Sequence, residues 1–302
     1  MLADNRTTLA ENVSIQGDLE RSVKLSNEAL DISMRASNYW GQAYALVTMA
    51  PIYLEMGYID QAIDSWERGL AAAERANFTA PASYSLSHMA IAYAGLGDLD
   101  KAFELIELSR SKTRSRALPA FINLPAFGLE HLYILAGDLE KAERTLAKQT
   151  VSVELARSEP VMFSLIVTTR IIFSLAKEAY EEALAAADEA LELANGGKLR
   201  LSFLELLLLK GKALLGLGRV NESAAALREA AGLARAYNSR RMLVPILAQS
   251  MAVEKQLGND EAATAAQEEG QTAVAFTAEH ISDPDLRARY LQTEPVRRLS
   301  EQ

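Results

Sequence analysis

The sequence predicts an all-α fold: a right-handed α-solenoid of about seven antiparallel helical hairpins, followed by C-terminal capping helices. Two observations lead to this prediction. The 302 residues are rich in Ala and Leu and poor in strand-forming side chains, with 16 Gly and 8 Pro, a balance that favours helix. A short turn phrase also recurs along the chain at a nearly constant interval, which is the signature of a repeat architecture.

The recurring phrase is a glycine followed by an acidic or polar residue, an apolar residue, another polar residue and a small residue. Copies begin at Gly17, Gly57, Gly97, Gly137, Gly218 and, in weaker form, Gly258. Their spacings are 40, 40, 40, 81 and 40 residues. The long gap contains a seventh copy without glycine, EAYEEA from Glu178. The period therefore runs through nearly the whole chain.

Small side chains recur at a fixed distance from each turn. Five positions after the turn residue stand Ser22, Ala62, Ala102, Ala142, Ala183, Ser223 and Ala263. Most of the residues twelve positions after the turn are small as well. Small side chains let two helix backbones approach closely, so we expect these positions to lie between the helices of each hairpin.

These residues form the tetratricopeptide pattern, and the chain resembles that family over nearly its whole length. The usual unit has about 34 residues, whereas the longer unit here is similar to the C-terminal arrays of bacterial ATP-binding LuxR-type regulators, such as the maltose-operon activator, and of cyclase or ATPase fusions. HEAT repeats share the length and are the structural alternative. WD40 blades share the period but need alternating strands, and no such pattern is visible.

The repeat register gives element bounds. In the second unit we expect helix A over 39–56 and helix B over 60–76. The array should span 1–270, with turns near 17, 57, 97, 137, 178, 218 and 258. Residues 271–302 should cap its open end, with one helix over 272–281 and another after Asp283. The last phrase, ISDPDLRARYLQTEPVRRL, resembles the C-terminus of such regulators, so we expect a portion of a larger protein; a short protein of its own is the alternative.

Charge and composition exclude several classes of function. The formal net charge is −9, which argues against a nucleic-acid surface and against an anionic membrane surface. The chain has no cysteine, so disulfides, thiolate metal sites and cysteine nucleophiles are absent. Neither a secretion signal nor an uninterrupted apolar span is present. These features fit a cytoplasmic protein.

The sequence predicts neither an enzyme nor a cofactor or metal site. It contains three histidines, no Gly-rich phosphate loop and no GxSxG elbow. His88 and His131 fall on the A helices of neighbouring repeats, so they are candidates to approach each other. Two histidines without a carboxylate or thiolate partner make a poor zinc site.

The resemblance implies that the A helices line the concave face, where function is expected. Reading their inward register gives a mainly apolar groove with polar groups, formed by Tyr44, Val47, Leu54, Tyr84, Ser87, His88, Phe127, His131, Thr168 and Lys212. Such a groove suits an amphipathic helix or an extended segment. The alternative is that several of these side chains pack between repeats, because sequence separates the two kinds of position poorly.

Two functions follow from this interpretation. The first is a protein-interaction and regulatory scaffold of a bacterial signalling or transcription-control protein, which binds a protein, a peptide or its own upstream domains on the concave face. The second is a domain that senses a small-molecule effector. In that case the aromatic side chains of Tyr44, Tyr84 and Phe127, with His88 and His131, would stack on and hydrogen-bond a sugar or a similar molecule.

Overall fold

A computed structural model of the chain describes residues 2–114, 125–148, 160–197 and 199–301. Within these ranges the chain forms sixteen helices and no strand. Fourteen of the helices pair into seven antiparallel hairpins, and two short helices follow the last hairpin. The all-α solenoid predicted from the sequence is confirmed.

The first helix of each hairpin is called helix A and the second helix B. The hairpins are α1 (Leu2–Ile15) with α2 (Leu19–Arg35), α3 (Tyr39–Met56) with α4 (Ile59–Arg75), α5 (Thr79–Gly95) with α6 (Leu99–Arg114), α7 (Pro125–Leu135) with α8 (Leu139–Leu146), α9 (Pro160–Ala176) with α10 (Tyr180–Gly197), α11 (Ser202–Gly216) with α12 (Val220–Ala236), and α13 (Arg240–Gln256) with α14 (Asp260–Glu279). The short helices are α15 (Pro284–Leu291) and α16 (Glu294–Ser300).

The turn between the two helices of a hairpin has the same backbone conformation in every repeat. The six turn glycines have φ between 72° and 91°, a left-handed region that glycine adopts at little cost. Glu178 takes the same place in the fifth turn, with φ 57°. After the turn, the carboxylates of Asp18 and Asp138 cap the B helix, accepting from the amides of Arg21 at 3.2 Å and Lys141 at 3.1 Å.

The small side chains that follow each turn are buried between the two helices. Ala62, Ala102, Ala142 and Ala183 are fully buried, as close helix packing requires. Serine at this position makes a bond of its own. The hydroxyl of Ser22 donates to the carbonyl oxygen of Ala10 at 2.7 Å, and the hydroxyl of Ser223 donates to that of Gly211 at the same distance. The same repeat position therefore holds helix B against helix A.

The C-terminal end differs from the prediction in one respect. A separate helix over 272–281 is not formed, because α14 continues without interruption from Asp260 to Glu279. The predicted boundary at 270 thus lies inside α14. Gly270 leaves room there for Leu299 of α16, whose side chain would come within 2.6 Å of an added Cβ. Helix α16 covers α13 and α14.

The superhelix also closes on itself, which the sequence did not predict. The turns of the first three hairpins meet the C-terminal ends of α12, α14 and α15: Gly17 lies against the ring of Tyr237, Gly57 against Thr277, and Gly97 against the carbonyl of Arg289. In contrast, an added Cβ at Gly137, Gly218 or Gly258 would meet no atom within 4 Å. We call this contact the seam. It joins residues 15–20, 55–60 and 97–98 to residues 201, 237–241, 277–282 and 289–293.

Candidate functional site

The A helices line the interior of the superhelix, but three of the predicted groove residues are buried in the helix packing instead, and two of them face their own hairpin. Val47 is buried and lies 3.1 Å from the place of a Cβ at Gly69 in α4. The hydroxyls of Ser87 and Ser109, in α5 and α6, are 3.2 Å apart. Thr168 is buried as well. These side chains hold helices together and present no surface to a partner, which corrects their assignment to the groove.

A second group does face the interior. The hydroxyl of Tyr44 donates to the carboxylate of Glu11 at 3.0 Å; burial, followed by the charge of Glu11, raises the pKa of Tyr44 to about 12. The rings of Tyr84 and His88 lie with their centroids 4.1 Å apart and are tilted by 35° to each other. Tyr84 also packs against the apolar cluster formed by α9, α10 and α11. The interior is therefore narrow at the level of Tyr84.

His131 and His88 are held as neutral imidazoles. Burial lowers the pKa of each to about 4, and the nearby charge of Arg241 contributes at His131. The Nδ1 atom of His131 is buried without a hydrogen-bond partner among the described residues. In that part of the chain no group of three or more His, Asp or Glu side chains is placed to hold a metal ion.

Where the interior meets the seam, charged side chains come together. The carboxylate of Glu55 accepts from Nε of Arg241 at 2.5 Å and from the hydroxyl of Ser239. Burial acts to lower the pKa of Arg241, but Glu55 and Glu205 raise it above its usual value. Burial also raises the pKa of Glu205 and lowers that of Lys212, both on α11. The placement of Lys212 in the groove stays a prediction.

Leu54 and Phe127 are the two remaining predicted groove residues. Leu54 lies at the seam, where it packs against the large apolar cluster built mainly by α11–α14. Phe127 belongs to α7, but its side chain lies outside the described residues.

Four aromatic side chains form a partly exposed surface where α3 and α5 begin. We call Tyr39, Trp40, Tyr44 and Phe78 the aromatic edge. Trp40 is 39% exposed and stacks on Phe78 with ring centroids 5.7 Å apart. Its ring lies 5.6 Å from that of Tyr44, so the edge leads into the interior. Sequence reasoning found only Tyr44 of this set, although paired aromatics just after a loop were a visible signal.

Sequence reasoning also missed Glu55 and Arg241, because 186 positions separate them. A signal was nevertheless present. Glu55 lies in the last turn of α3 and Arg241 in the first turn of α13, so each charge opposes the dipole of its own helix. A charge in such a place is stabilised by a partner elsewhere.

Comparison with known proteins supports the fold and no more. No protein-family model and no curated protein sequence matches the chain. Among solved structures, the chain is similar to a signal-transduction ATPase with numerous domains and a tetratricopeptide repeat sensor from Pyrococcus horikoshii, with TM-score 0.56, 18% identity and coverage of 89% of this chain. It spans 42% of that protein's chain.

A second similar structure is aspartyl phosphate phosphatase F from Bacillus subtilis, with TM-score 0.53, 12% identity, and coverage of 91% of this chain and 72% of the other. No helix in the described ranges is long and apolar enough to cross a membrane. The geometry and these likenesses together assign the chain a tetratricopeptide-like fold.

Proposed function

We propose that the chain is a protein-interaction and regulatory module, and that a partner docks at the aromatic edge where it opens into the interior. The observation that carries this proposal is the exposed Trp40, which is backed by Phe78 and Tyr44. Tryptophan and tyrosine are enriched in the residues that dominate binding energy at protein interfaces. The occupant would be an apolar or aromatic side chain on a segment of the partner.

Two further side chains suit the same role. The guanidinium of Arg75 lies 4.2 Å from the ring centroid of Tyr39, so a cation adjoins the aromatic edge, as in an interface core with a polar rim. Met34, at the end of α2 and five positions before Tyr39, is 54% exposed, and methionine adapts its shape to different partners.

The kind of protein in which the chain acts is part of the proposal as well. The structure of the Pyrococcus horikoshii protein joins a tetratricopeptide repeat sensor to a signal-transduction ATPase. By analogy, the chain would serve a signalling or transcription-control protein. The sequence resemblance to bacterial regulators adds a bacterial, cytoplasmic setting to the proposal, in which the chain has no catalytic activity of its own. Its partner would be another protein, a peptide or upstream domains of the same polypeptide.

A crosslinking experiment tests the docking surface. A photoreactive phenylalanine at position 40 should crosslink to a partner in cell extract or to the separately expressed upstream domains. The same residue at position 135 is the matched control, because Leu135 is similarly exposed, at 45%, but lies on α7 away from the aromatic edge. Equal crosslinking from both positions, or none from position 40, would refute the docking surface.

A second candidate function is effector sensing within the interior. It is favoured by the adjacent rings of Tyr84 and His88 and by the buried Nδ1 of His131 that lacks a partner in the described part of the chain. These groups could stack on a sugar ring and bond its hydroxyls. A thermal-shift screen of sugars and related metabolites tests it, because a ligand that binds only the folded state raises the melting temperature. The absence of any shift would remove this candidate.

A further inference from the structure

A cavity of about 200 Å³ lies at the seam. One wall comes from the second and third hairpins and includes Leu54 and Ile91, whereas the other comes from the C-terminal helices and includes Val244 and Val296. The cavity therefore exists only while the superhelix is closed. Because no residue of the aromatic edge lines it, the inference drawn from it does not rest on the proposed function.

The polar groups in the lining are already engaged. The hydroxyl of Thr277 donates to the carbonyl of Ala273 at 3.1 Å, and that of Thr293 donates to the carbonyl of Tyr290 at 2.7 Å. Nε of Arg241 donates to Glu55. The hydroxyl of Tyr290 bonds the side chain of Thr277, and the charge of Arg241 is already matched by Glu55. The remaining lining is apolar, so a charged ligand would lose its hydration without gaining an unpaired opposite charge. An apolar cavity of about 150 Å³ in another protein stays dry and binds benzene, so this larger one has room for a substituted ring.

One backbone acceptor of a lining residue lacks its usual donor. Pro245 lies inside α13 and has no N–H, so the carbonyl of Arg241, four residues earlier, has no helical hydrogen bond of the usual kind. Both residues line the cavity. A ligand with one hydroxyl or N–H group could donate to this oxygen while its apolar part fills the space between the walls.

We propose that the seam cavity binds a small, uncharged, mostly apolar molecule that carries one hydroxyl or N–H group. Because both walls contact it, such a molecule binds the closed superhelix and stabilises the seam. The site differs in place and in chemistry from the sugar-type interior site considered above.

The test uses p-cresol, toluene and benzoate as probes in thermal-shift and calorimetric titrations of the whole chain. We expect p-cresol to raise the melting temperature with increasing concentration, toluene to do so more weakly, and benzoate to have no effect. No shift with p-cresol at millimolar concentration, or an equal shift with benzoate, would overturn the proposal.

Two glycines provide a matched pair of variants. Gly95 lines the cavity, and an added Cβ there meets no atom within 4 Å, so Gly95→Leu should occupy the space and abolish the p-cresol shift. Gly232, in α12, also has open space around it; Gly232→Leu makes the same change in helix propensity away from the cavity and should keep the shift. If both variants lose the p-cresol shift, or if both keep it, the cavity is not the binding site.

Two further variants keep the proposal testable if Gly95→Leu does not fold. Ala92→Val is a smaller intrusion into the same cavity and should weaken p-cresol binding about tenfold. Pro245→Ala restores a donor to the Arg241 carbonyl and should remove the preference for p-cresol over toluene. If Ala92→Val leaves the p-cresol affinity unchanged, the ligand does not bind in this cavity. If Pro245→Ala leaves the preference for p-cresol over toluene unchanged, the ligand hydroxyl does not donate to the Arg241 carbonyl.

Discussion

The carboxylate of Glu55 accepts a hydrogen bond from the hydroxyl of Ser239, a residue 184 positions later in the chain. The same carboxylate pairs with Arg241. The second hairpin is thereby joined to the start of the seventh, and a linear array of hairpins becomes a closed turn of superhelix. Three of the predictions below follow from this closure and from the helix packing beneath it.

Removing the Glu55 carboxylate should weaken the seam. Its side chain is only 6% exposed, whereas that of Arg241 is 41% exposed, so loss of the acid leaves a guanidinium that water can still reach. We expect Glu55→Ala to lower the free energy of unfolding by about 2 kcal/mol, the range for hydrogen bonds to a charged group. Urea denaturation measures the change.

The control for this variant is an ion pair between neighbouring hairpins. Glu143 and Lys177 are 3.0 Å apart with exposed side chains, and an exposed pair of this kind contributes about 0.5 kcal/mol or less. Glu143→Ala should therefore have little effect. If both variants lose the same stability, the seam is not a stabilising contact in solution.

Substituting turn glycines should separate the free-energy cost of backbone strain from the cost of a steric clash at the seam. Gly17 and Gly137 both have positive φ, 91° and 76°, so alanine strains either turn by roughly 1 kcal/mol. At Gly17 the new Cβ would also lie 2.5 Å from the ring of Tyr237. We expect Gly17→Ala to lose about 1–2 kcal/mol more than Gly137→Ala in denaturant unfolding. Equal losses would mean that Tyr237 does not cover the first turn.

Placing a charge between the helices of a hairpin should destabilise the array. Ala102 is fully buried, so Ala102→Arg forces a long charged side chain into a close contact and should cost on the order of 3 kcal/mol. Leu108→Arg on the same helix is the control, because Leu108 is 41% exposed. A melting temperature unchanged by Ala102→Arg would show that the repeat register is misplaced.

Acid should weaken the array partly through its interior histidines. His88 and His131 have a folded-state pKa of about 4 against an ordinary value of 6.5, so between these values the unfolded chain binds more protons than the folded one. Their contribution to stability is complete above pH 6.5 and is lost as the pH falls from 6.5 towards 4. Melting temperatures across this range measure it.

The double variant His88→Gln, His131→Gln removes this contribution. Its melting temperature should fall less steeply over that range than that of the unsubstituted chain, because the carboxylates that titrate there are common to both. If the melting temperatures of the two chains fall equally with pH, the pKa values of the histidines do not differ between the folded and the unfolded state.

The local architecture could be predicted from the sequence because each hairpin is specified by residues within forty positions of one another. The turn glycines and the small residue at Ala62 and its equivalents depend on contacts inside a single repeat. The predicted bounds of α3, 39–56, agree with the structure, and Glu178 marks its turn as the repeat period required.

The seam and the narrow interior could not be predicted in this way. Superhelical pitch results from a small rotation per repeat, summed over several repeats, and no single residue encodes it. For this reason the sequence pattern places Tyr84 in the groove, although its side chain reaches the opposite apolar cluster. Val47 and Ser87 lie next to inward positions on their helices, and only their contacts with α4 and α6 decide where they belong.

The contact of Gly17 with Tyr237 has a consequence for how such a chain can change in evolution. In most solenoids whole repeats are gained or lost freely, because each unit touches only its neighbours. Here the deletion or duplication of any internal unit would leave every hairpin able to stack, yet would carry Tyr237 away from the first turn. The contacts that close the superhelix therefore fix the number of repeats, as closure does in a ring.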